Sequence, residues 1–232
     1  MKEEYDQHIR TNANTNLRSA LRALKQEGKY DIDGTIKSSF LGSGATSHVY
    51  RVIELETHKC YAAKFFRNHM ASTWDADMFC KAAIRLIGKN VVPDLVERIE
   101  LCQRQWLVII MPLLVPIPFN KPGAASFADG MRRCLKEFHD AGFAHGDIHQ
   151  DNFMLDPETK TVRIIDFGLS YDYIKPAGWF LPKVPRGKRF RTVGEWDWLI
   201  RRIDQSSTES LRQADFLIDT VKLEATIDFL GI

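Results

Sequence analysis

Four prolines fall within eleven residues, at Pro112, Pro116, Pro118 and Pro122. Each fixes a backbone dihedral and removes an N–H, so no regular structure is expected here and the stretch is the best candidate for a linker between lobes. It divides the chain into a part with mainly strand periodicity and a part with mainly helical periodicity. The 232 residues, 44% of them apolar, suffice for two small lobes with a real core.

Upstream of the prolines, residues 14–27 read as a helix. Leu17, Leu21 and Leu24 form its stripe, Asn14 or Thr15 caps it, and Gly28 stops it. Strand patterns follow over Thr35–Leu41, Val49–Leu55 and Cys60–Phe66, a three-strand meander with Gly42-Ser43-Gly44 in its first turn. A helix is expected over Ala71–Ile87, with Met78, Ala82, Ile84 and Ile87 among its apolar positions. Two further strands are expected over Leu95–Cys102 and Trp106–Met111.

Downstream, Ala124–Ala141 reads as a helix with Phe127, Met131, Leu135 and Phe138 on one stripe, ended by Gly142. A polar loop, a hairpin around Asp156-Pro157 and the run Ile164-Ile165-Asp166 come next. Two more helices are expected after Gly194, the last opening on a Ser206-x-x-Glu209 capping box and ending at Gly231. The expected organisation is a helical extension over 1–34, a β-rich lobe over 35–112 and a reduced, mainly helical lobe over 113–232. Such an α+β chain is expected to bind its ligand in the cleft between the lobes.

Thirty-two basic and 30 acidic residues leave a formal charge of +2, so no nucleic-acid partner is expected. Cys60, Cys80, Cys102 and Cys134 lack metal-ligand spacing, which predicts buried reduced thiols and no zinc. Residues Met1–Arg10 lack the apolar core of a leader, and no apolar run nears the ~18 residues of a membrane span. The expected location is the cytoplasm, with delivery into a host cell by a leaderless route as the alternative. Nothing in the composition sets the oligomeric state.

Three motifs carry chemistry. Gly42-Ser43-Gly44, between two strands, lets backbone N–H groups approach phosphate oxygens, although Ser47 stands where a third glycine would complete the pattern. Ala63-Lys64 follows on the third strand, where a lysine reaches bridging phosphates. His145-Gly146-Asp147-Ile148-His149-Gln150-Asp151-Asn152 then precedes Ile165-Asp166-Phe167-Gly168. Phosphoryl transfer needs one group to orient the attacking hydroxyl and oxygen ligands for a metal ion on the phosphates. A loop carboxylate suits the first task; an Asn amide oxygen and a second carboxylate suit the other.

In this order the motifs resemble those of the protein-kinase-like superfamily, over roughly residues 35–200. The resemblance is to minimal members such as Bud32-type and bacterial effector kinases, and it implies a two-lobed fold using ATP with Mg²⁺ or Mn²⁺. It implies that Gly42, Ser43, Gly44, Ser47 and Val49 cover the nucleotide, that Lys64 binds its α/β-phosphates, and that Asp147 is the catalytic base or orients the hydroxyl. Asn152 and Asp166 would hold the metal, Met111 would be the gatekeeper, and Leu113 and Leu114 would face adenine. His149 would donate to the transferring phosphate or order the loop. The acidic partner of Lys64 would be Asp75 or Asp77, and Asp197 would bond back to the catalytic loop.

Several departures shape the expected activity. Gly146 replaces the arginine that clamps a phosphorylated activation loop, which implies activity without that phosphorylation. The H-G-D-x-H spacing also resembles aminoglycoside and choline phosphotransferases. No A-P-E follows Asp166-Phe167-Gly168; Lys183, Arg186, Lys188, Arg189 and Arg191 lie there instead, as a dock for an acidic substrate or a solvated loop. The expected function is a compact Ser/Thr protein kinase with a protein substrate. A small-molecule kinase and a nucleotide-binding pseudokinase are the alternatives.

Overall fold

The computed structural model describes residues 17–44, 47–67, 70–119, 124–174 and 208–232. The chain divides into two compact units, Met1–Cys80 with Asp94–Leu114, and Lys81–Pro93 with Val115–Ile232.

In chain order the first unit contains helix α1 over 17–26, β1 (Tyr30–Ile32), the one-turn α2 (Ile36–Ser39), β2 (Phe40–Ser43), β3 (Ser47–Glu54) and β4 (Cys60–Arg67). Helix α3 (Met70–Arg85) runs on past the division at Cys80, and β5 (Glu97–Leu101) and β6 (Trp106–Pro112) complete the unit. The sheet runs β1-β3-β4-β6-β5, with β2 also on β3, all antiparallel. It is wider than the expected meander because β1, only three residues long, pairs Tyr30–Ile32 with Val52–Glu54.

Alternation along these strands separates two faces. Tyr50, Val52, Ala63, Phe65, Trp106, Val108 and Ile110 form one, and Leu17, Ala20, Leu21 and Leu24 of α1 pack against it. The i, i+3, i+4, i+7 spacing of those four residues makes the α1 stripe, and each is at most 5% exposed. Burial of a leucine of this kind contributes roughly 1.5–3 kcal/mol. Tyr30, fully buried beneath them, donates from its hydroxyl to Glu97 at 3.0 Å.

Three local expectations change. Thr35–Leu41 is not one strand: Thr35 Oγ1 accepts from Ser38 N at 3.1 Å while Thr35 N donates to Ser38 Oγ at 3.0 Å. That capping box starts α2, and the strand begins only at Phe40. Ile84 and Ile87 do not lie on the buried stripe; they are 67% and 77% exposed, while Met78, Phe79, Ala82, Ala83 and Leu86 are buried. Cys80 and Cys134 are buried free thiols, but Cys60 and Cys102 are only half-buried.

In the second unit, β7 (Val115–Pro116), β9 (Phe153–Leu155) and β10 (Val162–Ile164) form a sheet in the order β10-β9-β7. Pro112 and Pro116 thus lie in strands after all, at a strand end and on an edge strand, where a missing N–H is tolerated. Helix α4 (Ala125–Asp140) buries Met131, Cys134, Leu135 and Phe138. Gly130 lets it approach β10: a Cβ there would stand 2.7 Å from Val162 Cγ2. The Cys134 thiol donates to Val162 O at 2.8 Å, and burial pushes it up to about 12. β8 (Phe143–Ala144) pairs with β11 (Tyr171–Asp172), and the long α5 (Thr208–Leu230) ends at Gly231. Ser206 of the expected capping box lies outside the described residues. Among the described residues no helix is long and apolar enough to cross a membrane.

Candidate active site

In the first unit the site face is the sheet face opposite α1. The registers Val49↔Lys64, Lys64↔Ile109 and Ala62↔Met111 set Val49, Ala62, Lys64, Ile109 and Met111 side by side on it. Ala62 belongs to this face although the motif reading passed over it; its signal was its place two residues before Lys64. Lys64 Nζ stands 3.0 Å from Asp75 Oδ2, with the Asp75 side chain fully buried and that of Lys64 14% exposed. Asp77 instead faces Arg98, at 2.9 Å on the surface. The acid beside Lys64 is therefore Asp75.

The glycine turn lies at the end of β2, where the register shifts between Phe40 and Gly42. Gly44 N–H donates to Ser47 O at 3.0 Å. A Cβ at Gly42 or Gly44 would meet no protein atom within 4 Å, so the space beside both is open. Residues 45 and 46 lie outside the described residues. Met111 is buried near the end of β6, Pro112 closes the strand, and Leu113 and Leu114 follow it out of regular structure.

In the second unit the polar loop and the Asp166 run converge on His145. Its ring accepts from Asp147 N at Nδ1 (3.3 Å) and faces Ile165 O from Nε2 (2.9 Å). Those partners select the neutral tautomer with its proton on Nε2. Burial pushes the imidazole below its ordinary value, against the opposing pull of Asp219, Asp147 and Asp166. Ile165 N–H also donates to Asn152 O at 2.9 Å, which ties the two motifs backbone to backbone. Phe167, 1% exposed, packs against Phe138 and edge-on to His145. Asp166 itself has φ 65°, a left-handed conformation uncommon for a residue with a side chain.

Asn152 is 4% exposed, and its amide nitrogen reaches Asp147 O at 2.8 Å and His149 Nε2 at 2.9 Å. Both amide hydrogens are thereby committed inside the loop, and Oδ1 is the atom left to serve as a ligand. His149 accepts at Nε2, so its ring proton is on Nδ1, 3.8 Å from Asp151 Oδ2. Asp147 Oδ2 is 3.6 Å from His149 Nε2, and the Asp147 side chain is 43% exposed.

Gly146 has φ 79°, and a Cβ there would stand 2.5 Å from Leu169 O. The backbone conformation and the neighbouring carbonyl together require glycine. The loop is also held from α5, which motif reading did not foresee. Asp219, 1% exposed, accepts from His145 N at 2.6 Å and Gly146 N at 3.0 Å, and lies 3.2 Å from His139 Nε2. One signal existed: an aspartate beside the apolar stripe Ala214, Ile218, Leu223 and Ile227, which can be buried only if it is partnered. Asp197 and the basic stretch Lys183–Arg191 lie outside the described residues.

A family model for the protein kinase domain matches residues 36–181, more than half of the chain. The chain belongs to the protein kinase family. This kinase is 22% identical over 193 residues to serine/threonine-protein kinase AtPK1/AtPK6 of Arabidopsis thaliana, across 75% of this chain and 41% of that protein. It is 26% identical over 143 residues to smooth-muscle myosin light chain kinase of Gallus gallus, across 56% of this chain and 7% of that protein. The kinase therefore spans less than half the length of these relatives. Helix α1, β1 and α5, and Asp219 with them, fall outside the matched span.

Proposed function

We propose that this kinase is an ATP- and magnesium-dependent phosphotransferase acting on serine or threonine of a protein, without prior activation-loop phosphorylation. The observation that carries the reading is that Asp147 N and Ile165 O, one residue before Asp166, meet on the buried His145 ring, while Asn152 bonds both Asp147 O and Ile165 N.

Asp147 accepts the hydrogen bond of the acceptor hydroxyl, orients its oxygen for in-line attack and takes its proton as the bond to phosphorus forms. Lys64, steadied by Asp75, binds the α/β-phosphates, and the backbone around Gly42, Ser43, Gly44 and Ser47 covers them. Val49, Ala62 and Met111 offer an apolar bed for the base, with Leu113 and Leu114 contributing backbone polar groups, since Pro112 has no N–H. His149 accepts the Asn152 amide at Nε2 and so orders the loop. Asn152 Oδ1 and Asp166 are hard oxygen donors, and two protein ligands completed by phosphate oxygens and water suit magnesium, with manganese as a substitute. When bound, that ion supplies neutralisation of phosphate charge.

Independence from phosphorylation rests on Gly146. The position has no side chain to clamp a phosphate and no space for one. The H-G-D-x-H spacing favours a second reading, a small-molecule kinase. To separate the two, pure protein is incubated with γ-labelled ATP and Mg²⁺, with a cell lysate or with a panel of sugars, aminoglycosides and choline. Label in lysate proteins is expected. Label in small molecules alone would sink the protein-kinase reading, and nucleotide-induced thermal stabilisation without turnover would mark a binding module.

A further inference from the structure

The segment after Asp166-Phe167-Gly168 is fastened to the strand that leads into the Asp147 loop. Tyr171 and Asp172 pair with Ala144 and Phe143. Tyr173 N–H donates to Gly142 O at 2.9 Å, and Ser170 Oγ donates to His145 O at 3.1 Å. Residues 169–174 contain one charged residue, Asp172, which is only 2% exposed.

Its partner is Arg85, the last residue of α3. Nη1 stands 2.9 Å from Oδ1 and Nη2 stands 2.8 Å from Oδ2, the parallel two-bond fork of guanidinium on carboxylate. Nη1 also donates to Ala141 O at 2.9 Å, and the guanidinium lies 4.2 Å from the centre of the Phe143 ring. Oδ1 accepts Ile174 N at 3.0 Å. The assembly lies wholly within the second unit.

The Asp172 carboxylate is buried and the Arg85 side chain is 24% exposed; such a pair adds little net stability, but parting it leaves a buried charge uncompensated, which disfavours other arrangements of the segment. A slip of β11 by one residue would put Tyr171 or Tyr173 opposite Phe143 and leave a guanidinium and a carboxylate without each other. The pair therefore sets which residue of the post-Asp166 segment lies against the lead-in to Asp147. Ordering of a segment by an arginine on a phosphate is a common switching device. Here the anion is a carboxylate built into the chain.

We infer that Arg85 and Asp172 are a positioning pair that holds the segment after Asp166 in its working register and so removes the need for a phosphate there. The inference rests on the reading of the chain as a phosphotransferase, and it names the device behind independence from phosphorylation. Arg85 touches no reacting atom. Its effect is exerted through Asp172 on the placement of Asp166.

The test compares wild type, Asp172→Asn and Arg85→Lys in phosphate transfer and in hydrogen exchange of residues 169–174. Asp172→Asn keeps shape and removes charge; Arg85→Lys keeps charge and loses the fork. Both variants are expected to lose about tenfold or more in kcat with KM for ATP changed by less than about twofold, and to exchange faster in 169–174 while β3–β6 amides stay protected. Phosphatase treatment is expected to leave the wild-type rate unchanged. Unaltered kcat in both variants would overturn the inference even if exchange rises. Unaltered exchange, or a wild-type rate lost on phosphatase treatment, would overturn it as well. If wild type transfers no phosphate, the enzyme reading fails by itself, and the exchange difference still decides whether the pair orders the segment.

Discussion

Lys64 Nζ lies 3.0 Å from Asp75 Oδ2, and the Asp75 side chain is fully buried. A buried carboxylate depends on its cation: removal of one partner of such a pair costs about 3–5 kcal/mol. Lys64→Met should therefore lower the unfolding free energy by about that amount in urea titrations. It should also reduce kcat/KM for ATP by at least about a hundredfold, through lost phosphate positioning. Asp77→Asn, which breaks only the surface pair with Arg98, should stay within about 0.5 kcal/mol of wild type. Equal effects of the two substitutions would show that Asp75 is not the partner that matters.

Asp219 accepts both N–H groups that open the Asp147 loop. Asp219→Ala strands two backbone donors, of which His145 N is buried, and an unsatisfied buried donor costs about 1–3 kcal/mol. Loosening of Asp147 by such a change should lower kcat by about ten- to a hundredfold, with KM for ATP little changed. Steady-state kinetics at saturating and limiting ATP separate the two. A raised KM with unchanged kcat would contradict the anchoring role.

Restoring arginine at Gly146 should not restore control by phosphorylation. The left-handed backbone costs a residue with a Cβ about 1–2 kcal/mol, and the Leu169 carbonyl obstructs that Cβ as well. Gly146→Arg should therefore be less stable and less active than wild type, with or without phosphorylation. Thermal unfolding and transfer assays check this, and a variant as stable as wild type would refute the crowding argument.

Acid should weaken the fold through His145. Its imidazole is held below its ordinary value by burial, so below pH 6.5 the unfolded chain binds more protons than the folded one. Stability is then complete above 6.5 and is lost as pH falls from there through the folded value. His48, also lowered by burial, adds in the same direction. Urea midpoints at pH 7.5 and 5.5 should show the loss. A midpoint that rises on acidification would contradict the neutral tautomer assigned here.

Much of the candidate site was readable from residue order alone. The glycine turn, Lys64, Asp147, Asn152 and Asp166 stand out as candidates because a tight turn, and the oxygen donors a metal ion would need, restrict residue type locally. Asp75 and Asp77 could not be separated that way. They lie about 200° apart around a helix, so only the orientation of α3 decides which one meets Lys64. The hold on Gly146 from Asp219 spans 73 residues and leaves no local pattern. Near Thr35, strand periodicity misled because short hydroxyl side chains bonded backbone groups and started a helical turn instead. Arg85 and Asp172, 87 residues apart, carry no motif; their pairing follows from the meeting of α3 with β11.

The most direct test of the account is transfer of γ-phosphate from labelled ATP by wild type, Asp147→Asn and Asp166→Asn across a magnesium titration. Wild type should transfer label only with the ion present. Both variants should fall by at least about a hundredfold, since positioning and charge neutralisation dominate this chemistry. Asp166→Asn should lose the magnesium dependence of its residual nucleotide binding, and Asp147→Asn should keep it. An Asp166→Asn protein that turns over at the wild-type rate would contradict the account.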